Sequence, residues 1–162
     1  MIENPSEMID MQISHSQFHI YSGPFREANC EWGSGNVDQG AVIHKSHLIF
    51  DPIIQEAFKA RTYIKIARQY APHPDAMRSI VANLCVIKQA VSLFSAPGSH
   101  HLKTKFESEN YATYFEECES NDVDEIFFII TFVKHKGLVE PRYLKDDSWG
   151  GVEGKRLKLG RF

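Results

Sequence analysis

Short runs of alternating apolar and polar residues, separated by Gly, Pro and Asn, dominate this chain of 162 residues. The segment His101–Ser108 places Leu102, Thr104 and Phe106 on one side and charged residues on the other, the period of two that is typical of a half-buried strand. The segment Glu125–Lys134 is apolar on both faces, which indicates a central strand covered on both sides. Because such patterns recur at regular spacing, the sequence predicts an all-β fold, a single-domain antiparallel β-sandwich of about seven to eight strands.

The segments before residue 95 are less uniform. Met11–Tyr21 and Ala41–Phe50 are rich in β-branched and aromatic residues and predict strands, with a loop expected over residues 24–40 between them. Pro52–Ala60 has the apolar spacing of a short helical turn. The stretch Ser79–Phe94 fits either one helix or two strands joined by a turn, and periodicity alone leaves both open.

The composition predicts one domain with loosely ordered ends. We expect a lead-in over residues 1–10, the β-sandwich over residues 11–136 and a charged, Gly-containing C-terminal tail over residues 137–162. The longest apolar run, Ile126–Val133, is far shorter than the ~20 residues that span a bilayer. The first residues carry neither a basic region nor an apolar one, so we expect no secretory signal, no membrane partner and a cytoplasmic location.

The formal net charge of −3 conceals a strong asymmetry. Between Glu107 and Glu125 there are eight acids and no Lys or Arg. Such a block repels nucleic acid and attracts a basic protein surface, although a solvated edge that aids solubility is an open alternative. The last eleven residues, 152–162, carry four cationic side chains and one acid, which is only weak evidence for nucleic-acid binding.

No catalytic or metal-binding motif is recognisable. His15 and His19 share a strand face but lie roughly 13 Å apart at 3.3 Å per residue, and His44 and His47 are expected on opposite faces of one strand. The sequence therefore predicts no catalytic residue, no metal and no cofactor, while a site drawn from several strands stays open. Three cysteines without CxxC spacing predict free, partly buried thiols: Cys30, Cys85 and Cys118.

The run I-S-H-S-Q-F-H-I-Y, Ile13–Tyr21, resembles the opening strand of the competence protein J family, where an I-S-x-x-Q-F run precedes a Trp-containing loop. The tryptophan here is Trp32. Gly40–Ile43, followed by Leu48–Phe50, is similar to the next segment of that family, and the later strands fall in the same order. This order favours two strands over a helix between residues 79 and 94. The resemblance covers about Met11–Val133.

The resemblance implies a small, non-catalytic β domain that binds and inhibits a DNA-entry nuclease of the NucA kind; related inhibitors serve as immunity proteins against nuclease toxins. A nuclease has a basic DNA cleft, and an acidic surface imitates phosphate and steers association. We therefore expect a basic nuclease or toxin as partner, with no small-molecule substrate and no nucleic acid. The charge pattern, and not the family, predicts six acidic contact residues near the end of a hairpin: Glu116, Glu117, Glu119, Asp122, Asp124 and Glu125. Trp32 is a further candidate, because an indole in a Gly-rich loop is either a loop anchor or an interface contact.

Two alternatives stay open on the sequence alone. The first is a β-sandwich that binds another protein or a carbohydrate. The second is a metal-dependent enzyme, whose histidines would come from different strands. Bound metal in the purified protein would favour the second alternative.

Overall fold

The computed structural model describes residue 2, residues 4–122 and residues 125–162, and in these residues the chain folds into two β-sheets packed face to face. The all-β sandwich predicted from the sequence is confirmed, with eleven strands in the described residues instead of seven or eight. The strands are β1 Glu7–Ile13, β2 Phe18–Tyr21, β3 Ala41–His44, β4 His47–Phe50, β5 Ala57–Ala67, β6 Ala76–Cys85, β7 Ser92–Ser95, β8 Gly98–His101, β9 Asn110–Ser120, β10 Glu125–Lys134 and β11 Arg142–Tyr143.

The first sheet contains six strands in the order β1-β5-β10-β9-β6-β11. Its neighbours are antiparallel except β5 and β10, which run parallel with Phe127 opposite Arg61. Strands β9 and β10 form a long hairpin in which Ser120 pairs with Glu125 near the turn. Since β5 and β10 are parallel, the first residues of β5 lie at the same end of the sheet as that turn.

The second sheet contains five antiparallel strands in the order β3-β4-β2-β7-β8. Strand β2 is at its centre, and all four of its residues are buried. Phe18 and Ile20 belong to the core between the sheets. Because side chains alternate along a strand, His19 and Tyr21 point to the outer face, which must also be covered.

Phenylalanine rings from both sheets pack against one another in the core. The Phe18 ring lies 4.9 Å from that of Phe128 and 5.3 Å from that of Phe115, and Phe115 stacks on Phe50 at 4.6 Å, all between ring centroids. All four side chains have essentially no exposed surface. Burial of one such side chain contributes roughly 1.5–3 kcal/mol, so this aromatic group is a main source of stability.

The segment that periodicity left open contains two strands joined by a tight turn, with β6 in the six-stranded sheet and β7 in the five-stranded sheet. Strands β6 and β7 flank a bridge between Ile87 and Ala90, and the two residues between them, Lys88 and Gln89, have φ of +51° and +58°. A two-residue turn with positive φ matches the twist of the strands that it joins. The two-strand interpretation is therefore confirmed. A similar turn at His15 and Ser16 divides the predicted strand over 11–21 into β1 and β2.

The predicted helical turn over residues 52–60 is wrong. The chain there is irregular until β5 begins at Ala57, because a buried carboxylate on β9 accepts the backbone N–H groups of Ile53 and Ile54. Helix occurs instead in the predicted loop over 24–40, as a 3-10 turn at Glu27–Cys30 and helix α1 at Ser34–Gln39. In the part of the chain that the structure describes, no helix is long and apolar enough to cross a membrane.

The segments outside the predicted sandwich boundaries also pack onto the sheets. Strand β1 begins at Glu7, within the expected lead-in of residues 1–10. Residues 137–162, predicted as a tail, provide β11 and the buried side chain of Leu157. At the end of the chain, the Asn36 side chain accepts the N–H of Phe162 and donates to the carbonyl of Gly160. These contacts tie the C-terminal residues to α1.

Candidate functional site

The structure separates the acids between residues 107 and 125 into groups with different surroundings. Glu107 and Glu109 lie beside Lys134, near the end of the hairpin opposite the β9–β10 turn. Glu107 forms an ion pair with the lysine, and a Glu109 carboxylate oxygen lies 3.7 Å from Nζ. These side chains are about half exposed, so the pairs add little stability, but the lysine offsets part of the negative charge.

Glu117 points into the sandwich and is fully buried. Its two carboxylate oxygens accept the backbone N–H groups of Ile53 and Ile54, at 2.6 and 2.9 Å. Burial raises the pKa of Glu117 to about 7, although these hydrogen bonds oppose that shift. The side chain therefore holds the segment that precedes β5 and is not available to a partner.

Glu116 points to the outer face of the six-stranded sheet and is also buried. Its Oε2 accepts the Tyr70 hydroxyl and the His73 backbone N–H, both at 2.9 Å, and the Tyr70 ring stacks on Tyr114 at 4.0 Å. Burial raises the pKa of this carboxyl. The chain between β5 and β6 thus covers the outer face over Glu116.

The expectation that Glu116 and Glu117 present charge to a partner is corrected by these contacts. Consecutive residues of a strand point to opposite faces, and both faces of β9 are covered at this position. The sequence contained one indication that these acids are buried, because they stand between the apolar residues Phe115 and Cys118. Both of these neighbours are fully buried in the structure.

The exposed charge lies at the turn between β9 and β10. Glu119 is half-buried, while Asp122 and Glu125 are exposed. Within residues 4–122 and 125–162, none of the three forms a salt bridge. Asp124, also predicted as a contact residue, lies outside the described residues. We call Glu119, Asp122 and Glu125 the hairpin tip.

One cationic and one apolar side chain of β5 lie at the end of the six-stranded sheet where the hairpin tip lies. The exposed Arg61 of β5 has its pKa raised by Tyr63 and, to a smaller extent, by Asp10 and Glu125, so one guanidinium lies near the hairpin tip. Phe58, the second residue of β5, is 87% exposed. Aromatic side chains are enriched at protein interfaces, so this exposed phenyl ring is a candidate for contact with a partner.

Trp32 lies in a different element from the hairpin tip, between the 3-10 turn and α1. It is half-buried, and its indole Nε1 is buried without a hydrogen-bond partner in the described residues. The flanking residues contact the C-terminal segment, with Glu31 paired to Arg161 at 3.1 Å and Gly35 N–H donating to the Phe162 carbonyl. The structure therefore does not group Trp32 with the acids, and its role in partner binding stays a prediction.

His19, His47 and Cys30 form a group that can hold a metal ion, one ligand atom from each lying within 4.8 Å of the others. Burial lowers the pKa of His19 to about 3 and of His47 to about 4, with a further contribution from a neighbouring histidine in each case. Sequence reasoning missed this group because it compared histidines within one segment, whereas His19 and His47 lie on the neighbouring strands β2 and β4. The expectation that His44 and His47 point to opposite faces of one strand is also wrong, because they lie opposite each other on β3 and β4 and share a face.

The architecture is that of a two-sheet β-sandwich whose six-stranded sheet ends in an acidic hairpin. The family model for competence protein J (ComJ) matches residues 10–133, and the chain belongs to this family. The resemblance inferred from the opening strand is thereby confirmed. No curated protein shows significant sequence similarity to the chain.

Two solved structures share the fold. One is the crystal structure of ComJ from Bacillus subtilis, an inhibitor of the DNA-degrading activity of NucA, with a TM-score of 0.64 and 13% identity over 83% of this chain and 100% of that chain. The other is the product of crocagin biosynthetic gene J, with a TM-score of 0.53 and 11% identity over 80% of this chain and 98% of that chain. At these identities the similarity concerns the fold.

Proposed function

We propose that the protein binds a DNA-degrading nuclease and inhibits it without catalysing a reaction of its own. The observation that carries this proposal is membership of the ComJ family over residues 10–133, in a fold shared with a ComJ that inhibits NucA. Inhibition by a β-sandwich requires only a surface complementary to the nuclease, because occupying the DNA cleft is sufficient to exclude the substrate.

The hairpin tip is the part of this surface that we propose enters the cleft. A cleft that binds DNA is lined by cations, and carboxylates at a projecting turn occupy the positions of phosphate groups. Glu119, Asp122 and Glu125 stand within seven residues of the chain and carry three negative charges. Their lack of intramolecular salt bridges among the described residues leaves these charges available to a basic partner.

Phe58 supplies the apolar part of the proposed contact. Charged residues at the rim of an interface mainly accelerate association, whereas buried aromatic side chains account for most of the affinity. The parallel pairing of β5 and β10 brings Phe58 to the end of the sheet where the hairpin tip lies. We therefore propose that Phe58 inserts into an apolar depression beside the basic cleft.

Inhibition of DNA degradation tests the function directly. The protein is added to the NucA-type nuclease of the organism that encodes it, and the loss of intact plasmid DNA is followed with time. We expect inhibition that saturates near one inhibitor per nuclease, and a complex that survives size-exclusion chromatography. Undiminished degradation at a large molar excess of the protein would refute the proposed function.

Charge reversal tests the proposed surface. The variant Glu119→Lys/Asp122→Lys/Glu125→Lys is expected to weaken the inhibition at least tenfold at low salt, and less at high salt because ions screen the attraction. The matched control reverses three exposed acids in other elements and changes the net charge equally. These are Asp38, Glu140 and Glu153. Equal losses in the two triple variants would show that only net charge matters and that the hairpin tip is not the contact.

A further inference from the structure

We propose that His19, His47 and Cys30 bind a zinc ion on the outer face of the five-stranded sheet. The ion would attach the segment between β2 and α1 to that sheet. This site lies in a different sheet from the hairpin tip, and the proposal does not depend on nuclease inhibition. It follows from how the strands and the 3-10 turn bring three metal-ligating side chains together.

Strand order places the two imidazoles side by side. Strands β2 and β4 are neighbours, and Tyr21 pairs with His47. His19, two residues before Tyr21, projects from the same face, and the two histidines are 1% and 2% exposed. Cys30 is the third member of the group and is the last residue of the 3-10 turn that follows β2. Its thiol donates only a long hydrogen bond of 3.7 Å, to the Arg26 carbonyl.

The distances suit a first-row transition metal. His19 Nδ1 and His47 Nε2 are 2.8 Å apart and share one proton. Tetrahedral zinc, with bonds of about 2.0–2.1 Å to nitrogen, holds two such atoms about 3.3 Å apart. Replacement of the shared proton by the ion therefore requires the rings to separate by only about 0.5 Å. The sulfur lies within the 4.8 Å that encloses all three ligand atoms, and a zinc–sulfur bond of about 2.3 Å would draw it inward.

A second contact orients His19 as a metal ligand. The Gln17 side-chain oxygen lies 2.9 Å from His19 Nε2 and can only accept, so this nitrogen carries the proton and Nδ1 keeps its lone pair. Ligating histidines usually have such a partner on their other ring nitrogen. His47 differs, because its Nδ1 is buried without any hydrogen-bond partner in the described residues. A zinc ion on Nε2 would leave this nitrogen without a partner as well, so only His19 has the second contact that is usual for a ligating histidine.

Aromatic side chains surround the group and limit access by water. Phe25 covers it, with its ring centroid 5.3 Å from that of His47 and 6.0 Å from that of His19, and Phe94 lies 4.9 Å from His19. An open cavity of about 410 Å³, partly lined by His47, adjoins the site. Three protein ligands with a water from this cavity complete a tetrahedral ion.

The ligand types select the metal. Imidazole and thiolate favour zinc, whereas calcium and magnesium require oxygen ligands. The site contains no carboxylate among its three ligands. We therefore expect zinc to bind, and cobalt to bind as its spectroscopic substitute, while magnesium and calcium do not.

Metal titration of the purified protein tests the site. The chain is stripped with a chelator under reducing conditions and titrated with zinc against a chromophoric chelator, and in parallel with cobalt to record the thiolate-to-cobalt charge-transfer absorption. We expect one zinc per chain and a cobalt–thiolate band. Both should be lost in Cys30→Ser, and zinc affinity should fall at least a hundredfold in His47→Ala. Matched controls are Cys85→Ser, which also removes a partly buried thiol, and His135→Ala, which removes an exposed imidazole.

Thermal denaturation separates metal binding from folding. Cys30 is only partly buried, so Cys30→Ser is expected to fold, with the circular dichroism of the wild type. A thousandfold excess of zinc over its Kd is expected to raise the Tm of the wild type on the order of 10 °C and to leave that of Cys30→Ser unchanged. The proposal is overturned if the stripped protein binds no zinc, if Cys30→Ser binds zinc as the wild type does, or if magnesium competes equally.

Discussion

The buried ion pair between Arg78 and Asp147 leads to the sharpest prediction about stability. The two side chains are 3% and 1% exposed, and Arg78 Nε donates to Asp147 Oδ2 at 2.9 Å. Arg78 Nη1 donates to the Asp51 carbonyl, and Nη2 donates to Asp147 Oδ1 and the Trp149 carbonyl. The carboxylate also accepts the N–H groups of Trp149 and Gly151. Every charged atom is therefore hydrogen-bonded, and the pair joins residues 137–162 to β6.

Asp147→Ala leaves the guanidinium buried without its counter-ion. Loss of one member of a buried pair costs about 3–5 kcal/mol, because the remaining charge keeps its desolvation penalty. For a domain of this size, 1 kcal/mol corresponds to about 2–4 °C in Tm, so we expect Asp147→Ala to lower the Tm by about 10 °C. A double-mutant cycle with Arg78→Met should give a coupling energy of at least about 2 kcal/mol.

The same pair predicts a pH dependence of stability. Burial by itself raises the pKa of Asp147, but hydrogen bonds from Arg78, Gly151 and Trp149 outweigh burial and hold it below its usual value of 3.8. A carboxyl with a lowered folded-state pKa contributes stability above its unfolded-state pKa and loses that contribution as the pH falls. The difference in unfolding free energy between wild type and Asp147→Ala should therefore be constant from about pH 5 to pH 8 and shrink below about pH 4.

Urea denaturation, followed by tryptophan fluorescence and circular dichroism across this pH range, measures the unfolding free energy of each variant and its pH dependence. The control is Glu140→Ala, which breaks another arginine–carboxylate pair of residues 137–162, with Arg156 Nε 2.9 Å from Glu140 Oε1. These two side chains are 78% and 52% exposed, so the loss should be no more than about 1 kcal/mol. A cost below about 1 kcal/mol for Asp147→Ala, or equal costs for the two variants, would refute the reasoning from burial.

Three further predictions concern Glu117, Phe58 and Gly35. Because the folded-state pKa of Glu117 is raised from 4.5 to about 7, its stabilising contribution is complete below pH 4.5 and is lost as the pH rises through 7. Between pH 5 and pH 8 the wild type should lose up to about 3 kcal/mol relative to Glu117→Gln, whereas parallel curves in urea denaturation would contradict the raised pKa. Phe58→Ser should leave the Tm unchanged and weaken nuclease inhibition at least tenfold, and unchanged inhibition would remove Phe58 from the contact. In Gly35→Ala the new Cβ would lie 2.2 Å from the Phe162 ring, so the unfolding free energy should fall by about 1–3 kcal/mol, and by much less in a Phe162→Ala background.

The local pattern of apolar and polar residues was sufficient to predict the all-β class of the fold. The apolar residues on both faces of β10 correctly indicated a central strand, alternation correctly indicated the strand β9, and the order of segments decided against a helix through Leu84. The prediction for Pro52–Ala60 was wrong because the apolar spacing there is compatible with a helical turn. The conformation of this segment is set instead by hydrogen bonds to Glu117, which is distant in the chain. The weak helix propensity of the segment is outweighed by two backbone N–H hydrogen bonds to a buried carboxylate.

The candidate sites show the same division between local and long-range information. The sequence by itself determined where the acids and histidines stand, and that adjacent strand residues alternate between faces. Tertiary structure alone decided that Glu116 and Glu117 are covered while Asp122 and Glu125 are exposed, and that Cys30 meets His19 and His47. The physical reason is that a strand's own sequence specifies its two faces, whereas the segments that pack onto each face are set by pairings between residues distant in the chain.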